Sequence, residues 1–393
     1  MKIIGIIAEY NPFHNGHVYQ LKKCRELYPD CRIVIAMSGN FTQRAEPAVL
    51  DKWQRAKSAV LCGADLVIEL PFLYAVSGAE SFARGAVRLL SELNCVDVLV
   101  FGSEDDFNIL EKTADILNKE PENFRSLLKE KLKSGISYAQ ARSKVLEEDF
   151  GISNEILNKP NNILGIEYLK ALKRFNSTIV PQNILRIGAG FNDNNIKDDF
   201  SSAGALRSEL QNSLCSDIFL KNVPSELKEF YKEVDDLTKL DILFRFIVAK
   251  LRTVRSERLR NISEINEGIE HRIIKAAQTA ESYEDLVGKI QTRRYTYSRV
   301  RRVLLNCLFG ITKRIATRAH RESLYARVLA ADKKSGILKL ISLSSKIPVI
   351  IKSKDFISSE LLKFDLLASE IYSVLAPKVK EAALDYTQKP FII

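Results

Sequence analysis

Continuous apolar runs alternate with amphipathic segments along roughly the first hundred residues. The runs are short, carry almost no charge and are rich in β-branched residues; they lie at residues 3–8, 33–37, 66–70 and 96–101. Such runs are typical of strands buried on both faces. The segments between them have helical spacing, with Asp51 as a candidate N-cap and Gly63 as a candidate stop; they lie at residues 18–27, 51–62 and 79–93. Strands that alternate with helices predict an α/β fold with a parallel sheet covered on both faces.

Each predicted strand is followed by a polar or glycine-containing loop at its carboxyl end. Ligands of open parallel sheets bind at this edge, because the carboxyl ends of neighbouring strands meet there. We therefore expect four loop segments to converge on one site, namely residues 14–17, 38–40, 71–72 and 102–103.

The pattern changes along the rest of the chain. Residues 106–146 are charged and helical, and a fifth strand ends near Arg186; a loop rich in Gly, Asn and Asp follows at 188–199, and Ser202 can cap a helix that carries Arg207. Amphipathic helices are predicted at 240–259, 265–280 and, as a pair, 283–311, with short strands at 327–330, 337–342 and 346–356. We predict an α/β domain of residues 1–210, with a helical insert at about 106–150, and a mainly helical basic domain of residues 211–393.

Composition predicts a soluble cytoplasmic protein. No apolar window approaches the ~18 residues of a membrane span, and the N-terminal segment lacks a signal-peptide cleavage pattern. No C-x-x-C pair occurs, so we expect reduced, mostly buried thiols at Cys24, Cys31, Cys62, Cys95, Cys215 and Cys307. The net charge of +10 suggests a polyanionic partner. Nothing in the sequence indicates a membrane or a protein partner.

The segment His-Asn-Gly-His at residues 14–17 carries two of the four histidines in the chain. It falls between the first strand and the first helix, where free N–H groups and the helix dipole favour anions. Gly16 allows backbone to approach a phosphate closely, and His14 and His17 can stabilise charge on the α-phosphate of ATP. Two other interpretations remain: a turn with incidental histidines, and a metal site, for which no third ligand lies nearby. We predict no metal site.

Six sequence blocks resemble one family within the nucleotidylyltransferases that carry an (H/T)-x-G-H loop. The blocks are GIIAEYNPFHNGH, MSGNFTQRAEPAVLDKW, ADLVIELPFLYAVSGAESFARGAV, FGSE, KPNNILGIEYL and TRRYTYSRVRR. Together they resemble the tRNA(Met) cytidine acetate ligase family. The resemblance implies a Rossmann-like ATP-binding catalytic domain that converts acetate and ATP to acetyl-AMP and pyrophosphate. The acetyl group then passes to N4 of the wobble cytidine of elongator tRNA(Met), and we expect Mg²⁺ to accompany ATP.

The resemblance also implies which residues form the site. His14 and His17 are the expected catalytic residues. SSAGALR at 201–207 resembles the second superfamily signature, with Gly204 where Thr is usual. The expected ATP contacts are Ile7, Ala8, Glu9, Tyr10, Asn11, Pro12, Phe13, His14, Asn15, Gly16, His17, Gln20, Gly102, Asn162, Arg186, Ser202 and Arg207. The expected acetate and adenylate pocket consists of Ser38, Gly39, Asn40 and Arg44.

Two of these assignments have plain structural alternatives. Arg44 can steer a carboxylate, but it can equally pair with Glu46 at the surface. Asn161 and Asn162 can contact adenosine, but they can equally cap a helix. No residue is identifiable as the acid or base for acetyl transfer; Asp65, Glu69 and Glu104 lie near strand ends, and any of them can be structural.

The RNA interaction is inferred from charge. Residues 293–327 hold ten Lys or Arg and a single acid, Glu322. Arginine forks bind phosphates and tyrosine rings stack on unpaired bases. The expected tRNA contacts are Arg293, Arg294, Tyr295, Tyr297, Arg299, Arg301 and Arg302. A solvated helix face is the alternative, but the acids that balance such a face are missing from the segment.

Three other functions remain open from the sequence. A small-molecule adenylyltransferase would use the same histidine loop but would not need the basic C-terminal half. A carboxylate–amine ligase acting on a metabolite would share the acyl-adenylate chemistry. A non-catalytic RNA-binding protein with a vestigial nucleotide site would explain Gly204, although His14, His17 and Arg207 are all present.

Overall fold

A computed structural model describes residues 1–136, 138–186, 201–213, 216–266 and 268–393. Its centre is one mixed sheet with the strand order β5-β4-β1-β2-β3-β6-β7, and β8 pairs with β6 beside β7. The strands are β1 Ile3–Ala8, β2 Arg32–Ser38, β3 Leu66–Leu70, β4 Val98–Ser103, β5 Val180–Leu185, β6 Ala326–Ala331, β7 Val349–Ile350 and β8 Phe391–Ile392.

The first five strands are parallel, as the sequence predicts. β1 is central, pairing Ile4 with Ile33 of β2 on one side and with Val98 of β4 on the other. β6 runs antiparallel to β3, and β7 and β8 run parallel to β6. The predicted α/β class is therefore confirmed, and the C-terminal part of the chain adds strands to the same sheet.

Helices pack on both faces of the sheet and form a separate bundle between residues 240 and 319. Within the described residues they are α1 Asn15–Leu27, α2 Lys52–Leu61, α3 Phe72–Ala75, α4 Ala79–Glu92, α5 Phe107–Lys119, α6 Glu122–Lys133, α7 Tyr138–Phe150, α8 Asn154–Asn158, α9 Pro160–Arg174, α10 Ala203–Asn212, α11 Asp217–Lys221, α12 Lys228–Lys232, α13 Leu240–Thr253, α14 Ser256–Leu259, α15 Ile269–Thr279, α16 Tyr283–Ile290, α17 Tyr297–Phe309, α18 Lys313–Ala319, α19 Ile337–Ser344, α20 Glu360–Ser373 and α21 Leu384–Thr387. No described helix is long and apolar enough to cross a membrane.

The strands are continuously apolar because each of their faces packs against a different core. In β2, Val34 and Ala36 join the core under α4 and α9, whereas Ile33, Ile35 and Met37 join the core under α1 and α2. Successive side chains of a strand point to opposite faces, so both sets must be apolar.

One expectation about the chain needs correction. Residues 337–342, predicted as a strand, begin α19, in which Ile337 and Ile341 are buried one helical turn apart. A short apolar run cannot be assigned to strand or helix by periodicity alone. The helical insert, although charged, buries Leu110, Phe124 and Val145 in the core beside the sheet. The loop predicted at 188–199 and Cys215 lie outside the described residues.

The helical bundle has its own core, and that core reaches the loops that follow β2 and β3. Phe309 of α17 packs on Phe41 and Phe72, with ring centroids 5.3 Å and 4.5 Å away. These contacts place α17 beside the carboxyl ends of the strands. The predicted boundary at residue 211 stays a prediction.

Candidate active site

The His-Asn-Gly-His segment forms the turn between β1 and α1, and hydrogen bonding fixes the tautomer of each ring. His14 is the N-cap of α1, and its Nδ1 accepts from the Gly16 N–H at 3.1 Å. His17 Nδ1 accepts from the His14 N–H, also at 3.1 Å. Because a neutral imidazole with an accepting Nδ1 carries its proton on Nε2, both rings have an Nε2–H donor.

Both imidazoles are neutral at neutral pH. Burial lowers the pKa of His14 to about 3, and the guanidinium groups of Arg186 and Arg207 contribute. The pKa of His17 is well below its usual value because of burial and of the neighbouring His14 ring, whose centroid is 3.8 Å away. The pair therefore offers hydrogen bonds, not positive charge, to an incoming phosphate.

The N-terminus of α10 forms another wall of the same cavity. Ser202 caps this helix by accepting from the Ala205 N–H at 3.1 Å. Arg207 donates to the Asn11 carbonyl at 2.8 Å, so the late arginine is fixed directly to the histidine loop. Burial and the nearby Arg44 lower the pKa of Arg207 to about 10, which leaves it charged at neutral pH. Ser202, Gly204 and Arg207 all line the cavity, as expected for an anion site at a helix N-terminus.

The third wall comes from the ends of β4 and β5. Gly102 lies against Arg186, and a Cβ at position 102 would lie 3.4 Å from the Arg186 Cγ. Asn161 lines the cavity, whereas Asn162 does not. The Asn162 side chain is wholly buried and accepts from the Glu104 and Asp105 N–H groups at 3.0 and 3.2 Å. Asn162 thus positions the loop after β4 and does not contact the cavity.

A partly apolar corner completes the cavity beside Glu9. The Glu9 carboxylate accepts from the Gln43 N–H at 2.6 Å, and the Gln43 side chain reaches the Ser77 carbonyl at 3.4 Å. Aromatic and aliphatic side chains close this corner, namely Phe82, Phe101, Leu164 and Tyr168. Arg44 also lines the cavity.

The structure brings most of the predicted nucleotide residues into this one cavity. Those that line it are Ile7, Ala8, Glu9, Tyr10, Asn11, His14, Gly16, His17, Gln20, Gly102, Arg186, Ser202 and Arg207, together with Arg44 of the predicted acetate pocket. Those that do not line it are Pro12, Phe13, Asn15 and Asn162. Phe13 is fully buried and packs against the His17 ring at 5.2 Å, so its role is to support the histidine loop.

Ser38, Gly39 and Asn40 also lie outside the cavity, and their assignment to an acetate pocket stays a prediction. Asn40 is buried, accepts from the Lys52 N–H at 2.8 Å and donates to the Ser369 hydroxyl at 3.1 Å. The carbonyls of Ser38 and Gly39 both accept from the buried Arg55 guanidinium. The Asn40 side chain and the Ser38 and Gly39 carbonyls are therefore used for internal bonds.

Arg55 is a structural residue of the site that the sequence did not reveal. It is wholly buried, and its guanidinium also donates to the carbonyls of Leu50 and Glu9, at 3.0 and 2.5 Å. It thereby ties the carboxyl end of β1 to that of β2.

The predicted tRNA-binding segment is only partly available to RNA. Tyr295 is 3% exposed, and its hydroxyl bonds the backbone of Asn266 and Glu264. Arg301 is 6% exposed, contacts Glu46 and lies over the rings of Tyr283 and Tyr297. Neither Tyr295 nor Arg301 can reach a bound RNA in this arrangement.

Acids from outside the segment balance part of its charge. Glu264 pairs with Arg302 at 3.0 Å and lies 3.8 Å from Arg299. Seven residues of the segment are nevertheless exposed: Arg293, Arg294, Tyr297, Lys313, Arg314, Arg318 and Arg321. Glu46 pairs with Arg301, so the expected alternative partner of Arg44 is already engaged.

Several cavity residues were not predicted. Leu164 and Tyr168 lie on one face of α9 with Asn161, already a candidate adenosine contact from the sequence, and all three line the cavity. Their spacing of three and four residues is a signal that the sequence contains, once α9 is known to start at Pro160. Phe82 carries no comparable signal, because a Phe on a buried helix face usually belongs to the core.

Known proteins match this chain along its whole length. A family model described as HIGH Nucleotidyl Transferase matches residues 1–387. The tRNA(Met) cytidine acetate ligase of Acetivibrio thermocellus is 40% identical over 100% of both chains. That of Clostridium kluyveri is 41% identical, over 100% of this chain and 99% of its own. The crystal structure of Thermotoga maritima TmcAL in its apo form I matches with a TM-score of 0.92 and 32% identity, and the form bound with alpha-thio ATP matches with 0.91 and 31%, each over 100% of both chains.

The parallel sheet, the two Nε2–H donors and the capped arginine helix facing them define a nucleotidyltransferase of the HIGH type, as the family model also indicates. The relatives that match over the full length identify the family within this class. The chain belongs to the tRNA(Met) cytidine acetate ligase family.

Proposed function

We propose that this protein is an ATP-dependent ligase that activates acetate as acetyl-AMP and transfers the acetyl group to N4 of the wobble cytidine of elongator tRNA(Met). Pyrophosphate is released in the first step and AMP in the second, and the product is N4-acetylcytidine. The observation that carries the proposal is the pair of fixed imidazole donors, His14 and His17, lining one cavity with Arg207 in a chain whose relatives share its full length.

In the first step the site stabilises charge on the phosphates. An oxygen of the acetate carboxylate attacks the α-phosphorus, a P–O bond forms, and pyrophosphate leaves with the electrons of the broken P–O bond. The Nε2–H groups of His14 and His17 donate to α-phosphate oxygens, while the α10 N-terminus and Arg207 take the β- and γ-phosphates. The rings are neutral donors and move no proton.

The acetate methyl is assigned to the corner formed by Phe82, Leu164 and Tyr168, and the carboxylate to Arg44. An apolar corner with one guanidinium matches the chemistry of a short-chain carboxylate. This assignment replaces Ser38, Gly39 and Asn40, which do not line the cavity.

The tRNA surface is assigned to the exposed members of the basic segment, Arg293, Arg294 and Tyr297. Their charge and aromatic character suit the phosphates and unpaired bases of an anticodon loop. Arg301 and Tyr295 instead hold this segment against the rest of the protein.

Mg²⁺ enters the proposal as the companion ion of ATP. Among the residues that the structure describes, no three His, Cys, Asp or Glu side chains are grouped to hold a metal ion. Phosphate oxygens of the nucleotide would therefore supply oxygen ligands, which Mg²⁺ prefers, in place of protein side chains.

The test is one incubation of the protein with ATP, Mg²⁺, isotope-labelled acetate and bulk bacterial tRNA, followed by nucleoside mass spectrometry. We expect labelled N4-acetylcytidine that requires ATP. The His17→Ala variant should lose acetate-dependent ATP–pyrophosphate exchange by about 100-fold or more, because it lacks one phosphate donor. ATP–pyrophosphate exchange without labelled N4-acetylcytidine would contradict the assigned acceptor.

A small-molecule adenylyltransferase is the second candidate. It needs the same cavity but not the basic C-terminal half. The alignments with the tRNA(Met) cytidine acetate ligases include that half, because they cover 100% of this chain. Acetate-independent exchange would favour this candidate.

A further inference from the structure

Glu9 is the one carboxylate among the described residues that line the active-site cavity. It follows β1 directly and precedes the histidine loop by five residues. No described cation forms an ion pair with it, although Arg44, Arg186 and Arg207 line the same cavity. An unpaired carboxylate repels a triphosphate, so a direct contact with the phosphates of ATP does not explain this residue.

The surrounding bonds hold Glu9 in a fixed orientation. Its Oε1 accepts from the Gln43 N–H at 2.6 Å, and its carbonyl accepts from Arg55 at 2.5 Å. Oε2 makes no hydrogen bond within the described part of the chain, and the residue is only half-buried. Glu9 also raises the pKa of Tyr168, although burial of that hydroxyl contributes more. Glu9 therefore lines the cavity with one carboxylate oxygen held by Gln43 and one that makes no hydrogen bond within the described residues.

The second step of the proposed function needs a proton acceptor. The N4 amine of cytidine attacks the acetyl carbonyl carbon, so an N–C bond forms. The C–O bond to the phosphate breaks, and AMP leaves with its electron pair. Nitrogen must lose one proton on the way to a neutral amide, and His14 and His17 cannot take it readily, because their pKa values are low.

We propose that Glu9 is the catalytic residue that accepts the N4 proton during acetyl transfer and passes it to water. The proposal rests on the proposed function, because it assumes an amine acceptor and an acetyl-AMP donor. Oε2 is free to accept this proton, while Oε1 stays bonded to Gln43.

The test separates the two half-reactions. Acetate-dependent ATP–pyrophosphate exchange reports adenylation, and chemically prepared acetyl-AMP added to tRNA in a single turnover reports transfer. Glu9→Gln keeps an oxygen for the Gln43 N–H and so preserves the loop. We expect it to slow transfer by about 100-fold or more and to reduce exchange far less.

Glu104→Gln is the matched control. Glu104 follows the neighbouring strand β4 and bonds Asn161 and Asn162 without lining the cavity, so its variant should keep the wild-type ratio of transfer to exchange. Equal transfer by Glu9→Gln and wild type would overturn the proposal, as would a loss of exchange as large as the loss of transfer. A wild-type protein that makes no N4-acetylcytidine from acetyl-AMP would overturn the proposed function itself, and this inference with it.

Discussion

At the residue scale, each histidine of the loop performs two tasks with one ring. Nδ1 accepts from a backbone N–H at the start of α1, and Nε2 remains as a donor to the cavity. Replacement by Asn or Gln would keep one of these bonds but not the geometry of both. These two tasks explain why two of the four histidines of the chain lie within residues 14–17.

Gly204 gives a residue-scale prediction. A Cβ at this position would meet nothing closer than Ser202 Oγ at 3.6 Å and Arg207 Nη2 at 3.8 Å, so a side chain fits. Gly204→Ala should stabilise α10 by up to about 1 kcal/mol, because glycine is a poor helix former. Gly204→Thr should in addition lower the KM for ATP several-fold relative to the Ala variant, since its hydroxyl adds one hydrogen bond of about 1 kcal/mol. Equal KM values for the Ala and Thr variants would show that position 204 does not face the phosphates.

At the element scale, α17 and the segment just before it carry two kinds of arginine. Arg301 is buried in its contact with Glu46, whereas Arg293 and Arg294, just before the helix, are exposed. Charge counted along the sequence cannot separate the two kinds, because Glu46 and Glu264 come from distant segments.

Paired variants test this division. Arg293→Ala with Arg294→Ala should weaken tRNA binding and reduce the slope of log affinity against log salt by about 1.5 to 2 units, since two phosphate contacts are lost. Arg301→Ala should leave that slope unchanged but lower the free energy of unfolding by about 3–5 kcal/mol, because Glu46 loses its buried partner. If the salt slope of the double variant equals that of wild type, the RNA surface lies elsewhere.

At the scale of the whole molecule, a buried group of charges joins the two ends of the chain. Lys52 lies 2.8 Å from Glu69 and 2.7 Å from Asp385, and Arg327 lies 2.8 Å from Asp385. Asp365 is beside this group, accepts from the Phe72 N–H at 2.6 Å and contacts the Tyr325 hydroxyl. Burial, and then the charge of Glu69, raise the pKa of Asp365 to about 8.

This raised pKa predicts a pH dependence of stability. The unfolded chain releases the Asp365 proton near pH 4, whereas the folded protein keeps it until about pH 8. The stability that this proton provides is complete below pH 4 and is lost as the pH rises to 8. Asp365→Asn, a neutral mimic that can bond both Phe72 and Tyr325, should flatten the change in unfolding free energy between pH 5 and 8, measured by urea titration. A variant with the slope of wild type would assign the pH dependence to another group.

Much of this architecture could be predicted from the sequence. Continuous apolar runs predicted β1 to β5, and the position of the histidine loop predicted the location of the cavity. The role of the loop after β2 could not be predicted. Arg55 of α2 donates to the carbonyls of this loop, and nothing in the sequence pattern of α2 distinguishes Arg55 from a surface arginine. The burial of Tyr295 and Arg301 depends on partners far away in the chain, which no local pattern contains.

The strand β6 has a consequence for how such a protein can evolve. It covers the edge of β3, and its Arg327 lies 3.7 Å from Glu69 of that strand. The sheet that holds the cavity is thus completed by residues that follow the helical bundle of residues 240–319. Exchange of the C-terminal half between relatives would also exchange a core strand and a buried charge, so the two halves must be inherited and altered together.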